Sequence, residues 1–245
     1  MTISVSIIVP TLNEAENLPH VLPRIPAMPE ITEVILVDGH STDGTAEVAR
    51  TLIPSIMTVM QRGKGKGNAI RSGVRAASGT HVLVLDADGS HTPEEIPLYI
   101  EKARQGYDFI KGSRYLEGGK SEDETLERGL MVRLTDLVAN ILWSTKFEDM
   151  AYGMFMIDRQ KFNNLGVTAN YFEIEWDILI KAKRHGLRIA RVPAYEAARI
   201  HGESHLTYRR DGWLIFKLVM REGLLNVKDR ALKIVSGRRK TAARG

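Results

Sequence analysis

Residues 83–96 read LVLDADGSHTPEEI, an apolar run that ends at two aspartates, Asp86 and Asp88, with Ala87 between them. Repulsion between like charges and loss of hydration both oppose two carboxylates at the rim of a core, and a cation between them would offset both costs. Residues i and i+2 of a strand point to the same side, so both side chains are expected on one face. The spacing favours Mg²⁺ or Mn²⁺, which bind hard oxygen ligands; the alternative is that the aspartates cap a turn or the next helix.

Apolar runs of this kind recur along the chain and alternate with segments that are typical of helices. The predicted strands are 4–9 (SVSIIV), 33–39 (EVILVDG), 80–86 (THVLVLD), 107–115 (YDFIKGSRY) and 188–196 (RIARVPAYE). Continuous apolar strands between helices predict an α/β fold with a doubly wound, mostly parallel sheet and flanking helices. Ligands of such a sheet bind outside the carboxyl ends of its strands, where Asp38 and Asp86 are both expected.

Capping residues and prolines predict where two helices begin. Asn13 precedes acidic residues and is expected to cap a first helix, which Pro19 and Pro23 would leave short or broken. Thr92 is expected to cap a later helix that has Pro93 at its first position.

A basic, glycine-rich segment lies before another predicted helix. Residues 61–73, QRGKGKGNAIRSG, place several bases, among them Lys66, between glycines. Glycine permits close approach of the backbone and cations neutralise phosphate, so the segment could hold a pyrophosphate. It matches neither the Walker pattern nor the dinucleotide-binding pattern, and the alternative is a solvated basic loop.

The composition limits the cellular location. The chain has 245 residues, a formal net charge of +4 and no cysteine. Without cysteine it forms no disulfide and no thiolate metal site, and nothing marks an oxidising compartment. The N-terminus lacks a signal-peptide pattern, and no stretch approaches the roughly 18 apolar residues of a membrane span. We therefore expect a cytoplasmic protein whose contact with a membrane, if any, is peripheral and on the cytosolic face.

The end of the chain is basic and alternates apolar residues with bases. Residues 212–235 predict an amphipathic helix, which could dock on the core or lie on a bilayer surface. A frayed, solvated terminus is the alternative to attraction by anionic lipid heads. Nucleic-acid binding is not expected, because the bases are not interleaved with aromatic residues. The tryptophans in apolar helical segments, Trp143, Trp176 and Trp213, are interpreted as packing anchors.

Six segments occur along the chain in a characteristic order. They are SIIVPTLNEAENL, ILVDGHSTDGT, GKGNAIRSG, LVLDADGSHTPEEI, FIKGSRY and RIHGESHL. In this order and with these gaps the chain resembles the family 2 glycosyltransferases, closest to the dolichyl- or polyprenyl-phosphate mannose and glucose synthases. The resemblance covers roughly residues 3–210.

The resemblance implies a GT-A fold that binds a nucleotide diphosphate sugar, of the GDP-mannose or UDP-glucose type, through Mg²⁺ or Mn²⁺ and inverts the anomeric carbon. The positions that match substrate-binding residues are Pro10, Glu14, Val37, Asp38, Lys66, Ala87, Ser90, Ser204 and His205. Those that match metal ligands are Asp86, Asp88 and Ser90. Those that match catalytic residues are Asp88, Arg114, Asp149 and Arg199. Cations at these positions would offset the charge of the leaving diphosphate.

The sequence also departs from the family pattern. Gly39 stands where a second acidic contact to the nucleotide base is common, and Leu12 replaces a tyrosine. His205 takes the place of a lysine, while Met154 and Phe155 stand where phenylalanine and arginine commonly follow a glycine. These changes leave the donor base and the acceptor open.

We expect residues 1–210 to form the GT-A domain and residues 211–245 to form a basic amphipathic helix and tail. The expected reaction moves a hexose to a polyprenyl phosphate, an acceptor that is already an anion and needs no strong general base. One alternative is a soluble enzyme with a saccharide or small-molecule hydroxyl acceptor, for which Asp149 or Glu148 would be the candidate base. The other is a nucleotide-sugar-binding subunit that has lost catalysis.

Overall fold

The computed structural model of the chain describes residues 2–122, 126–143, 145, 146, 148–203, 207 and 210–226. Its strands are β1 (Val5–Thr11), β2 (Ile31–Asp38), β3 (Met57–Met60), β4 (His81–Val84), β5 (Phe109–Ser113), β6 (Lys120–Ser121), β7 (Phe155–Asp158), β8 (Ile189–Pro193) and β9 (Tyr195–Glu196). Its helices are α1 (Leu18–Val21), α2 (Thr45–Leu52), α3 (Lys66–Ala76), α4 (Ile96–Arg104), α5 (Leu126–Trp143), α6 (Arg159–Asn164), α7 (Ile174–Arg184) and α8 (residues 210–226).

Seven strands form one sheet in the order β3-β2-β1-β4-β7-β5-β8. All neighbours in it are parallel except β7, which runs antiparallel to both β4 and β5. The strand order reverses direction between β1 and β4, and a doubly wound sheet opens its ligand crevice at such a point. The predicted fold class is confirmed, and the carboxyl ends of β1, β2 and β4 meet at that crevice.

Alternate residues of each strand pack into two separate cores, one on each face of the sheet. On β1, Ile8 faces the core that α3, α5, α7 and α8 cover, whereas Ile7 and Val9 face the core that α1, α2 and α4 cover. Both faces are therefore apolar, which explains why the strands read as continuous apolar runs. Each fully buried aliphatic side chain contributes about 1.5–3 kcal/mol to this packing.

Three strands were not predicted, namely β3, β7 and the two-residue β6. Strand β7 is four residues long and has no turn signal before it, and helix α6 follows it directly. Strand β3 lies at the edge of the sheet and exposes Met57 and Met60, so it lacks the apolar run of a buried strand.

One of the two predicted helix caps is wrong. The side chain of Asn13 accepts a hydrogen bond from the Thr42 amide (2.9 Å), and Asn17 is the residue before α1. Thr92 stands at the N-cap position with Pro93 directly after it, as predicted, at the start of a 3₁₀ turn (Pro93–Glu95) that runs into α4. Its hydroxyl makes no capping bond and donates to the Tyr195 carbonyl (3.1 Å). The short first helix is confirmed: α1 has four residues, and a 3₁₀ turn with Pro23 at its second position follows it.

Helix α8 docks on α5. Leu218 and Val219 are buried in the core, and the Asn226 side-chain amide donates to the Leu142 carbonyl (2.9 Å). Trp143 and Trp176 are buried as expected, but Trp213 is 63% exposed, so its prediction as a packing anchor is wrong. No helix within the described ranges is both long and apolar enough to span a bilayer. The basic tail from residue 227 lies outside the described residues, and the boundary at residue 210 stays a prediction.

Candidate active site

Asp86 and Asp88 lie in the turn that follows β4, where the chain is no longer extended. Asp86 binds the Lys66 ammonium (2.7 Å), whereas Asp88 binds the Arg199 guanidinium (2.6 Å). The other oxygen of Asp88 accepts hydrogen bonds from the Ser90 amide (2.9 Å) and hydroxyl (2.6 Å). Each aspartate thus binds a different cation, yet both lie close enough to raise the pKa of Glu14, and that the two side chains lie on one face stays a prediction.

Lys66, at the start of α3, is buried between two carboxylates. Its ammonium binds Asp86 and also Glu175 of α7 (2.9 Å). Burial disfavours the charged form, but the two carboxylates hold the pKa of Lys66 above its ordinary value. In turn, burial opposes ionisation of Asp86, yet the Lys66 charge holds the pKa of Asp86 below its ordinary value. Both groups stay ionised, and α3, α7 and the turn after β4 are tied together.

Arg199 connects the same turn to the segment after β1. Its guanidinium lies 2.6 Å from Asp88 and 3.6 Å from Glu14. Burial raises the pKa of Glu14, although the side-chain amide of Asn17 donates a hydrogen bond to the Glu14 carboxylate (2.5 Å). These contacts bring residues that are far apart in the sequence to the crevice between β1 and β4.

The ends of β1 and β2 form the neighbouring wall of the crevice. Val37 and Asp38 are buried at the end of β2, and the Asp38 carboxylate accepts a hydrogen bond from the Ser41 amide (2.9 Å). Pro10 lies half-buried in β1, opposite Val37 in the register. A Cβ atom at Gly39 would lie 3.0 Å from the Thr11 carbonyl oxygen, so the backbone here leaves little room for the acidic side chain that the family resemblance implies at this position.

A second buried ion-pair cluster lies at the end of β5. The Arg114 amide and guanidinium Nε donate to one oxygen of Asp149 (2.7 and 2.8 Å), and Nη2 donates to the other (2.5 Å). The Arg114 guanidinium also binds Glu196 (2.7 Å). Burial disfavours the charge, but these carboxylates raise the pKa of Arg114 above its ordinary value. Both oxygens of Asp149 are thus engaged, which does not favour Asp149 as a general base; Glu148 is ion-paired with Arg191.

The turn at Asp149 is held by Asp136 of α5. Asp149 has a positive φ of 56°, and the Asp136 carboxylate accepts hydrogen bonds from the Asp149 (2.8 Å) and Met150 (3.3 Å) amides. Burial raises the pKa of Asp136 to about 6. The sequence signal for this residue is a single acid in an otherwise apolar stretch of helix.

The glycines before α3 serve packing. The amides of Gly67 and Asn68 donate to the Asn170 carbonyl (2.9 and 3.3 Å), and a Cβ atom at Gly67 would overlap the Ala169 carbonyl oxygen. These two amides are therefore not free for a ligand, and that the rest of the segment holds a pyrophosphate stays a prediction. Arg62 and Lys64 are exposed, and only Lys66 points into the site.

Two further residues line the site that sequence reasoning missed. His91 is buried, and its Nδ1 accepts a hydrogen bond from the Asp86 amide (3.1 Å); burial lowers the pKa of its ring. Gly153 faces the first cluster, because a Cβ atom there would lie 2.7 Å from the Asp86 carboxylate and 2.8 Å from the Lys66 ammonium. The space beside Asp86 therefore exists only because residue 153 has no side chain.

The donor atoms at the crevice fit a small, hard divalent cation. The first cluster has four carboxylates, those of Glu14, Asp86, Asp88 and Glu175, against the two cations Lys66 and Arg199. Within the described residues, no three His, Asp or Glu side chains are arranged to hold an ion by themselves. Mg²⁺ commonly takes one or two protein carboxylates and completes its shell with water and substrate phosphate. Asp86, Asp88 and the Ser90 hydroxyl suit that kind of site.

Beside the second cluster lies an open cavity of about 490 Å³. Its lining residues are Tyr115, Arg133, Asp136, Leu137, Asn140 and Glu148. The guanidinium groups of Arg133 and Arg114 lie 5.5 and 5.7 Å from the Tyr115 ring centroid. The outer face of α5 next to the cavity is apolar and exposed at Leu130, Leu134, Leu137 and Ile141. A cavity lined by Arg133 and two acidic residues therefore opens onto an apolar surface.

Of the remaining predicted site residues, Ala87 is buried in the turn between the two aspartates. Ser204 and His205 lie outside the described residues. The structure thus brings Glu14, Lys66, Asp86, Asp88, Ser90 and Arg199 into one cluster and Arg114 and Asp149 into another.

Comparisons with known proteins agree with this architecture. One relative is the dolichol-phosphate mannosyltransferase of Pyrococcus furiosus, 35% identical over 82% of this chain, which spans 59% of that protein's length. Another is the undecaprenyl-phosphate mannosyltransferase of Micrococcus luteus, 33% identical over 82% of this chain and 86% of its own.

A solved structure identifies the fold, and a family model identifies the family. The glucosyl-3-phosphoglycerate synthase of Mycobacterium tuberculosis, crystallised with Mn²⁺, uridine diphosphate and glucosyl-3-phosphoglycerate, superposes with a TM-score of 0.70. At 20% identity over 90% of this chain and 80% of that one, it shows a shared GT-A fold. The model of glycosyl transferase family 2 matches residues 6–166. The chain therefore belongs to glycosyl transferase family 2 and is a glycosyltransferase.

Proposed function

We propose that this protein transfers a hexose from a nucleotide diphosphate sugar to a polyprenyl phosphate, with inversion, at the cytosolic surface of a membrane. The observation that carries the proposal is the cavity beside Arg114 and Arg133, which opens onto the apolar outer face of α5. A polyprenyl phosphate carries an anionic group on an apolar chain, so its binding site needs a cation next to an apolar surface. The names of the two mannosyltransferase relatives support the same class of acceptor.

The donor half of the site is the crevice between β1 and β4. Pro10, Glu14, Val37 and Asp38 would line the nucleotide, with Ala87 beside the sugar-nucleotide. Asp86, Asp88 and Ser90 would hold Mg²⁺ or Mn²⁺, which when bound supplies positive charge to the diphosphate as it leaves. The M. tuberculosis structure with Mn²⁺ and uridine diphosphate supports a metal-assisted donor site.

Two side-chain cations lie at the same crevice. Lys66 and Arg199 bind the aspartates that would face the metal, and each is held in place by a second acid, Glu175 or Glu14. Their charges would stabilise the developing negative charge of the nucleoside diphosphate without any large rearrangement.

The acceptor half would be the cavity at α5. A phosphate monoester is an anion at neutral pH, so its oxygen attacks without a strong general base. The site agrees with this, because Asp149, the candidate base, has both of its oxygens bound by Arg114. Arg133 would place the acceptor phosphate, while Leu137 at the rim would meet the first prenyl units.

Membrane contact would involve α5 and α8 together. Trp213, Phe216 and Leu224 form an exposed apolar row on α8, which docks beside the exposed face of α5. Residues 227–245, which follow α8, carry seven Lys and Arg residues and one Asp. An apolar face followed by a basic segment suits a bilayer with anionic headgroups.

The donor half is tested by thermal denaturation with GDP-mannose, UDP-glucose and related donors, each with and without Mn²⁺. We expect one donor to raise the melting temperature only when Mn²⁺ is present, because both bind the native state. Asp88→Asn should remove that rise, and Glu101→Gln, an exposed control on α4, should keep it. No rise with any donor would contradict the proposal, and a rise without any sugar transfer would favour the degenerate binding subunit.

A further inference from the structure

Lys111 is a buried lysine without a hydrogen-bond partner. It lies in β5, where its side chain is 1% exposed and its Nζ meets no acceptor. The nearest aromatic ring, that of Tyr152, has its centroid 6.0 Å away. An unpaired ammonium in a protein core is costly, and buried polar groups are nearly always bonded. A ligand group that completes its bonding would account for its position.

Lys111 lies between the two ion-pair clusters of the site. The charged groups that act on it are Glu175 of α7, Asp149 after α5, Lys66 of α3 and Arg114 after β5. Glu175 and Lys66 belong to the donor cluster, whereas Arg114 and Asp149 belong to the acceptor cluster. The lysine is therefore within electrostatic reach of both clusters.

Glu175 offers a matching unsatisfied acceptor. One oxygen of Glu175 binds Lys66 (2.9 Å), but the other, Oε2, is buried and has no hydrogen-bond partner. Lys111 is close enough to act on the charge of Glu175 without making a direct bond to it. A buried donor without an acceptor and a buried acceptor without a donor thus lie near each other. A hydroxyl group, which both accepts and donates, is the group that can satisfy the two at once.

We propose that Lys111 is a specificity-determining residue that donates a hydrogen bond to one hydroxyl of the transferred sugar, while Glu175 Oε2 accepts from the same hydroxyl. The inference rests on the proposed function, since it needs a sugar donor bound at Asp86 and Asp88. Lys66 connects Glu175 to Asp86, so the sugar attached to the diphosphate would lie within reach of this pair.

The test is a set of calorimetric titrations of the enzyme with Mn²⁺, the donor selected by thermal denaturation, and its monodeoxy analogues. We expect the wild type to bind one monodeoxy donor about tenfold more weakly than the parent, because charged groups would be left unpaired. Lys111→Met should bring the two affinities within about twofold, and Lys111→Gln, which keeps a weaker donor, should give an intermediate ratio.

Lys181→Met is the matched control. Lys181 is also buried, but it is bound by Asp177 (2.8 Å) and the Gly166 carbonyl (2.7 Å). Lys181→Met should lower fold stability but keep the wild-type ratio between the affinities for the parent and the monodeoxy donors.

Two outcomes would overturn the inference while the donor site stands. In one, Lys111→Met keeps the wild-type ratio or weakens every donor equally. In the other, the wild type binds all monodeoxy donors as tightly as the parent, which would mean that only water lies between Lys111 and Glu175. If no nucleotide sugar binds at all, the proposed function falls together with the inference.

Discussion

At the scale of single residues, the two buried lysines provide a contrast. Lys111 has no partner, and burial lowers its pKa to about 8 from an ordinary value of 10.5. Lys181 is held by a carboxylate and a carbonyl oxygen. A buried charge without a partner lowers the free energy of unfolding, so its removal should stabilise the protein. Removing one member of a buried ion pair should destabilise the protein instead, because the other member then remains buried without a partner.

We therefore predict opposite effects of one substitution at the two positions. At pH 7, Lys111→Met should raise the free energy of unfolding by about 1–3 kcal/mol, and Lys181→Met should lower it by about 3 kcal/mol. A change of 1 kcal/mol moves the melting temperature of a chain of this size by about 2–4 °C. Differential scanning calorimetry would measure both. A fall in stability for Lys111→Met would show that Lys111 has a partner in the fold.

Lys111 also makes the free energy of unfolding depend on pH. Between pH 8 and 10.5 the unfolded chain binds more protons than the folded chain at this group, so its contribution to the free energy of unfolding rises with pH in that window. The stability advantage of Lys111→Met should be full below pH 8 and should fade toward pH 10.5. An advantage that does not change with pH would point to packing as its cause.

At the scale of elements, the contact between α3 and the segment at residue 170 depends on a glycine. Gly67→Ala places a Cβ atom against the Ala169 carbonyl oxygen and should disturb the bond from the Gly67 amide to Asn170. We predict a loss of about 1–3 kcal/mol in the free energy of unfolding, measured by urea denaturation. Gly212→Ala, in open space on α8, should be neutral or stabilising by up to about 1 kcal/mol. Equal effects at the two glycines would contradict the packing role.

The apolar row on α8 can be separated from the fold. Trp213→Ser with Phe216→Ser removes two exposed aromatic side chains that stack on each other. We predict at least about tenfold weaker binding to anionic phospholipid vesicles, measured by co-sedimentation, with an unchanged melting temperature. Met57→Ser, which removes an exposed apolar side chain from β3, is the control. Unchanged vesicle binding by the double variant would contradict the proposed membrane face.

The elements show what periodicity predicts and what it does not. Strands β1, β2, β4 and β5 were predicted because two apolar faces give them continuous apolar runs. Strand β7 escaped prediction because its four residues are stabilised by the neighbours β4 and β5, which no local pattern reveals. Asn13 was misread as a cap because its side chain bonds across the fold, to residue 42.

At the scale of the whole molecule, the site depends on contacts between distant parts of the chain. Arg199 meets Asp88, and Lys66 meets Glu175, across more than a hundred residues in each case. The family resemblance named most of the charged residues, but sequence spacing could not say which of them are paired. It also gave no sign that Lys111 and Glu175 Oε2 are left without partners, because pairing is a property of three-dimensional packing.

The measurement to make is the transfer of labelled hexose, from the donor that stabilises the protein with Mn²⁺, to a short-chain polyprenyl phosphate and to the matching polyprenol. We expect product from the phosphate alone, because Arg133 lines the cavity and can pair with an anion, while Arg114 binds both oxygens of Asp149, the candidate base. Product from the alcohol at a similar rate, or transfer only to a soluble hydroxyl acceptor, would contradict a lipid phosphate as the acceptor.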